Sequence, residues 1–285
     1  MITLRNNFLQ LRVNPLGAEW QSIKSANHDI EFLWQGNPAY WSRRAPVLFP
    51  IVGELLNSSY RLNEMSYTME RHGFARTLLF ETIAFSDDVV EMELCASEET
   101  RKIYPFHFSL KIRYEIIENS IVATMAVFNP DAVTLPFSLG AHPAFLLQEG
   151  MKNYSIEFEQ QEVTKRYFVS NGLLSPDSVL FETKGNELIL NTDLFDEDAI
   201  IFKSLKSKSM VIKNKSKPFV KMEWDNSFTH FGIWSKRNCN HFVCLEPWAG
   251  VADSQGFNGD FTVKEGIINL PPLHTKKFQF TCTFY

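Results

Sequence analysis

The chain has 285 residues, of which 45% are hydrophobic and 21% charged, and its formal net charge is −5. This composition is that of a folded globular protein and excludes a disordered one. Acidic and basic residues are evenly mixed, so we expect no basic face of the kind that binds nucleic acid. No apolar run approaches the 18 residues of a membrane span, and the first residues lack the apolar core of a secretory signal. We therefore expect a cytoplasmic protein without a membrane partner.

Short runs with alternating apolar and polar residues recur from one end of the chain to the other. The first residues, MITLRNNFLQLRV, alternate in this way, and residues 108–116 (FSLKIRYEI) place five apolar side chains on one face. A period of two is typical of a half-buried strand. The further predicted strands, in chain order, are VVEMELCA, SIVATMAVF, YSIEFEQ, NELIL, AIIFK, SMVIK, FVKMEW, HFGIWS, HFVCLEPW and KKFQFTCTFY.

Helices are expected to be few and short. No stretch of twelve residues combines the apolar spacing of a helix with end caps. Residues 38–46 have room for one helical turn, because Pro46 would interrupt a longer helix. Residues 203–218 are basic but enclose the apolar segment MVI, which predicts an exposed hairpin. At least ten strands without intervening helices predict an all-β protein of two large packed antiparallel sheets, and no linker divides residues 1–285 into separate domains.

Several catalytic motifs are absent from the sequence. It has no phosphate-binding glycine loop, no H-E-x-x-H and no G-x-S-x-G. The seven histidines are dispersed singly. The four cysteines lie in apolar, strand-like runs, and Cys239 and Cys244 do not have the spacing of a zinc site. We therefore expect four buried thiols, no metal and no cofactor.

Four segments place ionisable side chains beside aromatic residues and chain-bending glycine or proline. Glu246 lies in an apolar strand, where an ionised carboxylate is unfavourable unless it is paired. Pro247, which has no N–H, is expected to end the pairing of that strand. The segments are RAPVLFPIVG (44–53), HGFAR (72–76), SLGAHPAF (138–145) and CLEPWAG (244–250).

Each polar residue in or near these segments has a structural as well as a functional interpretation. His142 follows an apolar run and would be satisfied as a hydrogen-bonded core histidine. His72 and Arg76 would fit a solvated loop, and Asp198 would protect a sheet edge. Together, however, an imidazole and a carboxylate on strands of one sandwich suit general acid–base catalysis without a cofactor. Neighbouring aromatic rings suit the C–H faces of a pyranose, and the candidates are Trp34, Trp41, Phe74, Phe145 and Trp248.

At these segments the sequence resembles the aldose 1-epimerase (galactose mutarotase-like) superfamily, and within it the bacterial LacX-like branch. The resemblance extends over nearly the whole chain, from NPLGAEWQSIKS near the N-terminus through HGFAR and FSLGAHPAF to CLEPWAGVAD. It implies a large antiparallel β-supersandwich and a cofactor-free interconversion of the α and β anomers of a free aldohexose such as galactose or glucose. We expect a monomer or a weak homodimer.

The resemblance also implies roles for individual residues. His142 matches the general acid that protonates the sugar ring oxygen, and Glu246 matches the general base that acts on the anomeric hydroxyl. His72 matches a second histidine on the ring-oxygen side, and Asp198 matches an acid that binds sugar hydroxyls. A substrate-binding arginine is assigned to Arg76, with Arg44 competing for the role. Trp248 adjoins the base and is expected to contact the sugar.

Two positions depart from the family pattern. Ala141 replaces the second glycine of a Gly-Gly-His-Pro segment, and Glu54 follows PIVG where relatives often carry a basic residue. The second departure bears on which sugar is accepted.

Three alternatives remain open at this point. A hexose 6-phosphate 1-epimerase would need a basic pocket, for which Arg43, Arg44, Arg71 and Arg76 are the candidates. A carbohydrate-binding or sensing protein would keep the fold and the pocket without turnover. A glycoside hydrolase would need two carboxylates at a defined separation, of which only Glu246 is evident.

Overall fold

The computed structural model describes residues 1–285 and consists mainly of antiparallel strands, so the predicted all-β class is confirmed. Its single α-helix, α1 (Glu98–Ile103), has six residues and begins at a Ser97–Thr100 capping box. With only six residues, α1 is far too short to span a bilayer, and the structure contains no other helix that could do so. The strands are β1 (Ile2–Arg5), β2 (Leu9–Asn14), β3 (Glu19–Ser25), β4 (Val47–Leu48), β5 (Ser59–Leu62), β6 (Met65–Thr68), β7 (Glu81–Phe85), β8 (Val89–Cys95), β9 (Ser109–Ile117), β10 (Ser120–Phe128), β11 (Leu135–Phe137), β12 (Leu139–Ala141), β13 (Ala144–Leu146), β14 (Tyr154–Phe158), β15 (Val163–Ser170), β16 (Leu173–Glu182), β17 (Glu187–Ile189), β18 (Ile200–Phe202), β19 (Ser209–Asn214), β20 (Lys217–Trp224), β21 (His230–Trp234), β22 (Phe242–Ala249), β23 (Ile268–Leu270) and β24 (Thr275–Phe284).

Two large sheets dominate the fold. One has nine strands in the order β17-β14-β19-β20-β24-β10-β9-β8-β7. The other has eight, of which seven follow the order β16-β15-β18-β21-β22-β12-β4 and the eighth, β13, also pairs with β22. The alternation seen in the sequence becomes alternating burial, as in β10, whose residues are by turns half-buried and buried. A continuous core of 65 buried residues is formed by side chains from both sheets. Its apolar contacts are the main stabilising element of the fold.

Two predictions for short segments of the chain differ in outcome. A hairpin forms as predicted, in which β19 pairs with β20 and the turn residues Lys215 and Ser216 have positive φ. It extends beyond residue 218 to the end of β20, and it is not exposed, because both strands lie within the nine-stranded sheet and alternate residues of each are buried. Residues 38–46 form a hydrogen-bonded turn rather than a turn of helix, because the N–H groups of Tyr40 and Trp41 both donate to Asn37 O and the pattern does not continue.

The expectation that Pro247 ends a strand is wrong. β22 continues through it, and Pro247 lies opposite Phe231 of β21. Leu245, two residues earlier, donates its N–H to Pro143 O, so the same side of Pro247 faces the break between β12 and β13. Because the pairing with β12 and β13 is interrupted at this point, an N–H at position 247 would have no backbone acceptor on that side. The N–H that proline lacks therefore costs the sheet no hydrogen bond.

The cysteines also require a correction. Cys239, Cys244 and Cys282 are buried as expected, whereas Cys95 is exposed. It ends β8, at the outer side of the nine-stranded sheet, where alternation turns its side chain away from the core.

β22 has two chemically different faces. Val243 and Leu245 point into the main core, and the alternate residues Cys244, Glu246 and Trp248 point to the opposite face of the eight-stranded sheet. The single carboxylate of this strand therefore lies on the face away from the main core.

Candidate active site

A cavity of about 470 Å³ opens over this face of the eight-stranded sheet. Its volume is within the range of small-molecule sites. Both polar and aromatic side chains line it, from loops as well as from strands. Its lining comprises Tyr40, Trp41, Pro46, Gly53, Arg71, His72, Arg76, His142, Val169, Gly172, Phe195, Asp196, Asp198, Ala199, Ile201, Trp234, Lys236, Arg237, Glu246, Trp248 and Ala252.

His142 and Glu246 meet in this cavity. His142 lies in the two-residue break between β12 and β13, and both of these short strands pair with β22, which carries Glu246. The pairing brings His142 Nε2 to 3.1 Å from Glu246 Oε2. Both residues are buried, at 7% and 1% exposure, yet both line the cavity. A candidate acid and a candidate base are thus in contact at one point of the cavity wall.

Burial favours the uncharged form of both groups. It lowers the pKa of His142 to about 3. It also raises the pKa of Glu246 well above its ordinary value, an effect that the charge of Asp198 increases and the Trp248 side chain partly offsets. Neither oxygen of Glu246 makes a hydrogen bond with good geometry to a protein group. The pair therefore holds one proton over a wide range of pH, and a polar ligand would find unused acceptors on the carboxylate.

His72 reaches the cavity from a tight turn. It has a φ of +66°, and Gly53 N–H donates to its Nδ1 at 3.0 Å. Because Nδ1 accepts, the proton of the neutral imidazole is on Nε2, which becomes a donor. Burial lowers the pKa of His72 well below its ordinary value, so this neutral form persists. The next residue must be glycine, since a Cβ on Gly73 would lie 2.3 Å from Phe49 O.

Aromatic rings surround the imidazole of His142. Trp41 stacks on it with ring centroids 4.9 Å apart, and Trp234 and His72 meet it edge-on at 5.5 and 5.8 Å. Of the five aromatic residues singled out in the sequence, Trp41 and Trp248 line the cavity, whereas Trp34, Phe74 and Phe145 are packed in the core.

The position of the Trp248 indole requires a glycine in each of the two neighbouring strands. A Cβ on Gly140 of β12 would lie 2.7 Å from the indole, and a Cβ on Gly232 of β21 would lie 2.8 Å from it. The same Cβ on Gly232 would lie 3.3 Å from Glu246 Cβ. The two glycines make room for the indole and leave the rotamer of Glu246 undisturbed.

Asp198 and Arg76 also line the cavity. Asp198 has a φ of +64° in the loop before β18. Arg76 donates from Nη2 to Arg71 O at 2.6 Å, and its buried Nε has no protein partner. Asp198 can accept, and Arg76 can donate, hydrogen bonds within the cavity.

Arg44 requires a correction, because it lies outside the cavity. Its guanidinium donates to Gln21 Oε1 and to Gln35 O, each at 2.8 Å, and its backbone N–H donates to Glu19 Oε1. The side chain is thus used in joining β3 to the segment before β4. Arg44 is withdrawn as a substrate ligand.

Sequence reasoning missed several cavity residues. Trp234 ends β21, and Lys236 and Arg237 follow it in the segment FGIWSKR, where a polar pair directly after an aromatic strand end was the available signal. Arg71 was considered only as part of a phosphate pocket. Its Nε donates to Glu54 Oε2 at 2.8 Å, so the acidic residue at the unusual position 54 pairs with a cavity arginine.

One group of side chains has the composition of a metal site. Ligand atoms of His142, Cys244 and Glu246 all lie within 4.8 Å of one another, and all three residues are buried. No spacing in the sequence predicted this group, because His142 is about a hundred residues from the other two.

The chain matches a known protein family. The family model for aldose 1-epimerase matches residues 1–263. The chain is similar to the plasmid-encoded protein LacX of Lactococcus lactis subsp. lactis, with 33% identity over 296 aligned positions that cover 99% of this chain and 98% of that protein.

Two solved structures are similar over the full length. One is a galactose mutarotase related enzyme from Lactobacillus acidophilus, with 32% identity, a TM-score of 0.94 and coverage of 100% of this chain and 97% of the other. The other is a galactose mutarotase-like protein from Lactobacillus casei, with 27% identity, a TM-score of 0.92 and full coverage of both chains. The resemblance seen in the sequence and the galactose mutarotase-like fold are thereby confirmed, and the chain belongs to the aldose 1-epimerase family.

Proposed function

We propose that the protein is a cofactor-free mutarotase that interconverts the α and β anomers of a free aldohexose such as galactose or glucose. The observation that carries the proposal is the 3.1 Å contact between His142 Nε2 and Glu246 Oε2 in a cavity lined by tryptophans. A volume of about 470 Å³ accommodates one pyranose, and the indole faces suit its C–H surfaces.

The proposed reaction opens and recloses the sugar ring. Glu246 as carboxylate takes the proton of the anomeric hydroxyl O1, and His142 as imidazolium gives its proton to the ring oxygen O5. The C1–O5 bond breaks and an aldehyde forms at C1. After rotation about C1–C2, neutral His142 takes the proton from O5 as O5 attacks C1, and Glu246 returns its proton to O1. Both residues end as they began, so the cycle needs no cofactor.

The electrostatics of the buried pair place one requirement on this mechanism, which concerns the residue that holds the proton. Burial opposes charge on both groups and so favours the form of the pair in which Glu246 holds the proton. The productive form has the proton on His142, and a bound sugar favours it by donating hydroxyl hydrogen bonds to the unpartnered carboxylate oxygens. In the proposal, His72 Nε2–H donates on the ring-oxygen side, and Asp198, Arg76 and Trp248 orient the sugar.

Anomer-resolved proton NMR or polarimetry on freshly dissolved α-glucose and α-galactose tests the proposal. The wild type should accelerate equilibration, and His142→Asn and Glu246→Gln should each lose about 10²- to 10⁴-fold in rate. Arg44→Ala is the matched control and should keep its KM within about twofold, since Arg44 lies outside the cavity. Full activity of Glu246→Gln would contradict the mechanism. Absence of wild-type acceleration, with sugar affinity retained, would favour a carbohydrate-binding protein.

A second candidate substrate is a hexose 6-phosphate. Arg71, Arg76, Lys236 and Arg237 line the cavity, and Lys236 makes no ion pair. Such a basic rim suits a phosphate group. If the substrate carries phosphate, Lys236→Met should raise the KM for glucose 6-phosphate at least tenfold and leave that for glucose unchanged. Equal effects on both sugars would count against the phosphorylated substrate.

A further inference from the structure

We propose that the floor of the cavity is an inhibitory site for a thiophilic divalent cation such as Zn²⁺, bound by His142 Nε2, a carboxylate oxygen of Glu246 and Cys244 Sγ. The inhibition rests on the proposed mutarotase function, whereas the binding does not. The cation is a reversible inhibitor in this proposal and takes no part in the reaction.

The three ligand atoms are nearly at the separations that zinc requires. Zinc bonds of about 2.0–2.3 Å in tetrahedral geometry place ligand atoms about 3.3–3.6 Å apart. The Nε2–Oε2 distance of 3.1 Å is close to this value. Cys244 precedes Glu246 by two residues on β22, so both side chains lie on the same face, and all three ligand atoms are within 4.8 Å of one another. A shift of about 1 Å, within the range of a side-chain rotation, brings the thiol into the first coordination sphere.

The donor set and its charge suit zinc in a buried place. Imidazole, thiolate and carboxylate are its three usual ligand types, and three protein ligands with a fourth position open to solvent form a recurring zinc geometry. Cys244 thiolate and Glu246 carboxylate carry two negative charges, which cancel the charge of the cation. The complex is then neutral, so burial penalises it far less than it penalises either separate anion.

The structure also shows unused binding capacity at this point. Neither Glu246 oxygen has a well-aligned hydrogen-bond donor in the protein, although the residue is 1% exposed. His142 and Glu246 line the cavity, so a cation entering it meets two ligands directly, with Cys244 immediately behind them. A bound cation occupies the nitrogen lone pair and the carboxylate that the proposed reaction uses, and turnover stops.

Titration of chelator-treated protein with Cd²⁺ tests binding without reference to turnover. Ultraviolet absorption reports the thiolate-to-Cd²⁺ charge-transfer band, and calorimetry with Zn²⁺ reports affinity and stoichiometry. We expect one equivalent with a Kd below about 10 µM at pH 7.5. The band should disappear in both Cys244→Ser and Cys244→Ala, and it should persist in Cys95→Ser, the matched control that removes the exposed thiol.

Measurements of activity distinguish the proposed metal site from the proposed mutarotase function. Zn²⁺ should inhibit the wild type reversibly on addition of a chelator, and Cys244→Ser should keep turnover within about threefold while requiring at least tenfold more Zn²⁺ for the same inhibition. A charge-transfer band that persists in both Cys244 variants, or that disappears in Cys95→Ser, would overturn the metal site. If the wild type proves to have no mutarotase activity, the Cd²⁺ and calorimetric results still decide whether the site binds the cation.

Discussion

A buried ion pair beside the cavity wall provides a sharp test of how the wall is stabilised. Lys264 Nζ lies 3.1 Å from Asp253 Oδ1 and donates to Val251 O at 2.5 Å. Asp253 Oδ2 accepts the N–H of Leu56 at 2.9 Å, and the two charged side chains are only 1% and 3% exposed. The pair thus joins the segment after β22 to the segment that follows Gly53, and both segments contribute to the cavity.

The losses of stability caused by removing each charge of the pair should not add when both charges are removed. Lys264→Met leaves Asp253 buried with one oxygen unpartnered, and breaking a buried pair in this way costs about 3–5 kcal/mol. Asp253→Asn leaves the ammonium of Lys264 buried without its counterion and should cost a similar amount. The double variant carries neither charge, so its loss should be smaller than the sum of the single losses by at least about 2 kcal/mol.

Equilibrium unfolding in guanidinium chloride, followed by tryptophan fluorescence, measures these free energies. Lys221→Met is the matched control, because Lys221 pairs with Glu223 at 2.8 Å on the surface and its loss should cost less than about 1 kcal/mol. A cost below about 1 kcal/mol for Lys264→Met, or strict additivity in the double variant, would refute the reasoning.

Three further predictions concern the site and its pH response. Gly232→Ala should lower kcat at least tenfold with the fold retained by circular dichroism, because the added Cβ would displace Trp248 and press on Glu246; an unchanged kcat would contradict this. The acidic limb of the pH profile of kcat/KM should lie near pH 3 rather than near 6.5, since burial lowers the pKa of His142 to about 3, and an acidic limb near 6.5 would contradict the burial of this imidazole during turnover. Burial also lowers the pKa of His230 to about 4. As the pH falls, the imidazole of His230 is therefore protonated at a higher pH in the unfolded state than in the folded state. The free energy of unfolding should therefore fall by about 2 kcal/mol between pH 7 and pH 5 on account of His230, and His230→Gln should remove that part; an identical pH dependence in the variant would disprove the assignment.

The sequence indicated His142 and Glu246 as candidate site residues, and the resemblance to the aldose 1-epimerase family implied their roles. His142 and Glu246 stand out because an imidazole and a carboxylate occur inside apolar strand segments, where an unpaired charge is costly. The all-β class was readable for a related reason, since alternating side chains report directly which face of a strand is buried, as in β9. These are local properties, and they follow from the residue types and their spacing alone.

Only the tertiary structure shows which strands lie side by side. The incorrect predictions for Pro247 and Arg44 follow from this. Pro247 continues its strand because β12 and β13 break opposite it. Arg44 does not line the cavity, and its guanidinium is instead bound by Gln21 and Gln35. The contact between His142 and Glu246 also depends on pairing across about a hundred residues of chain. The residues of a strand determine which of its faces is apolar. Which strands become its neighbours depends on the packing of the whole sheet, and the neighbouring strands determine which polar side chains come into contact.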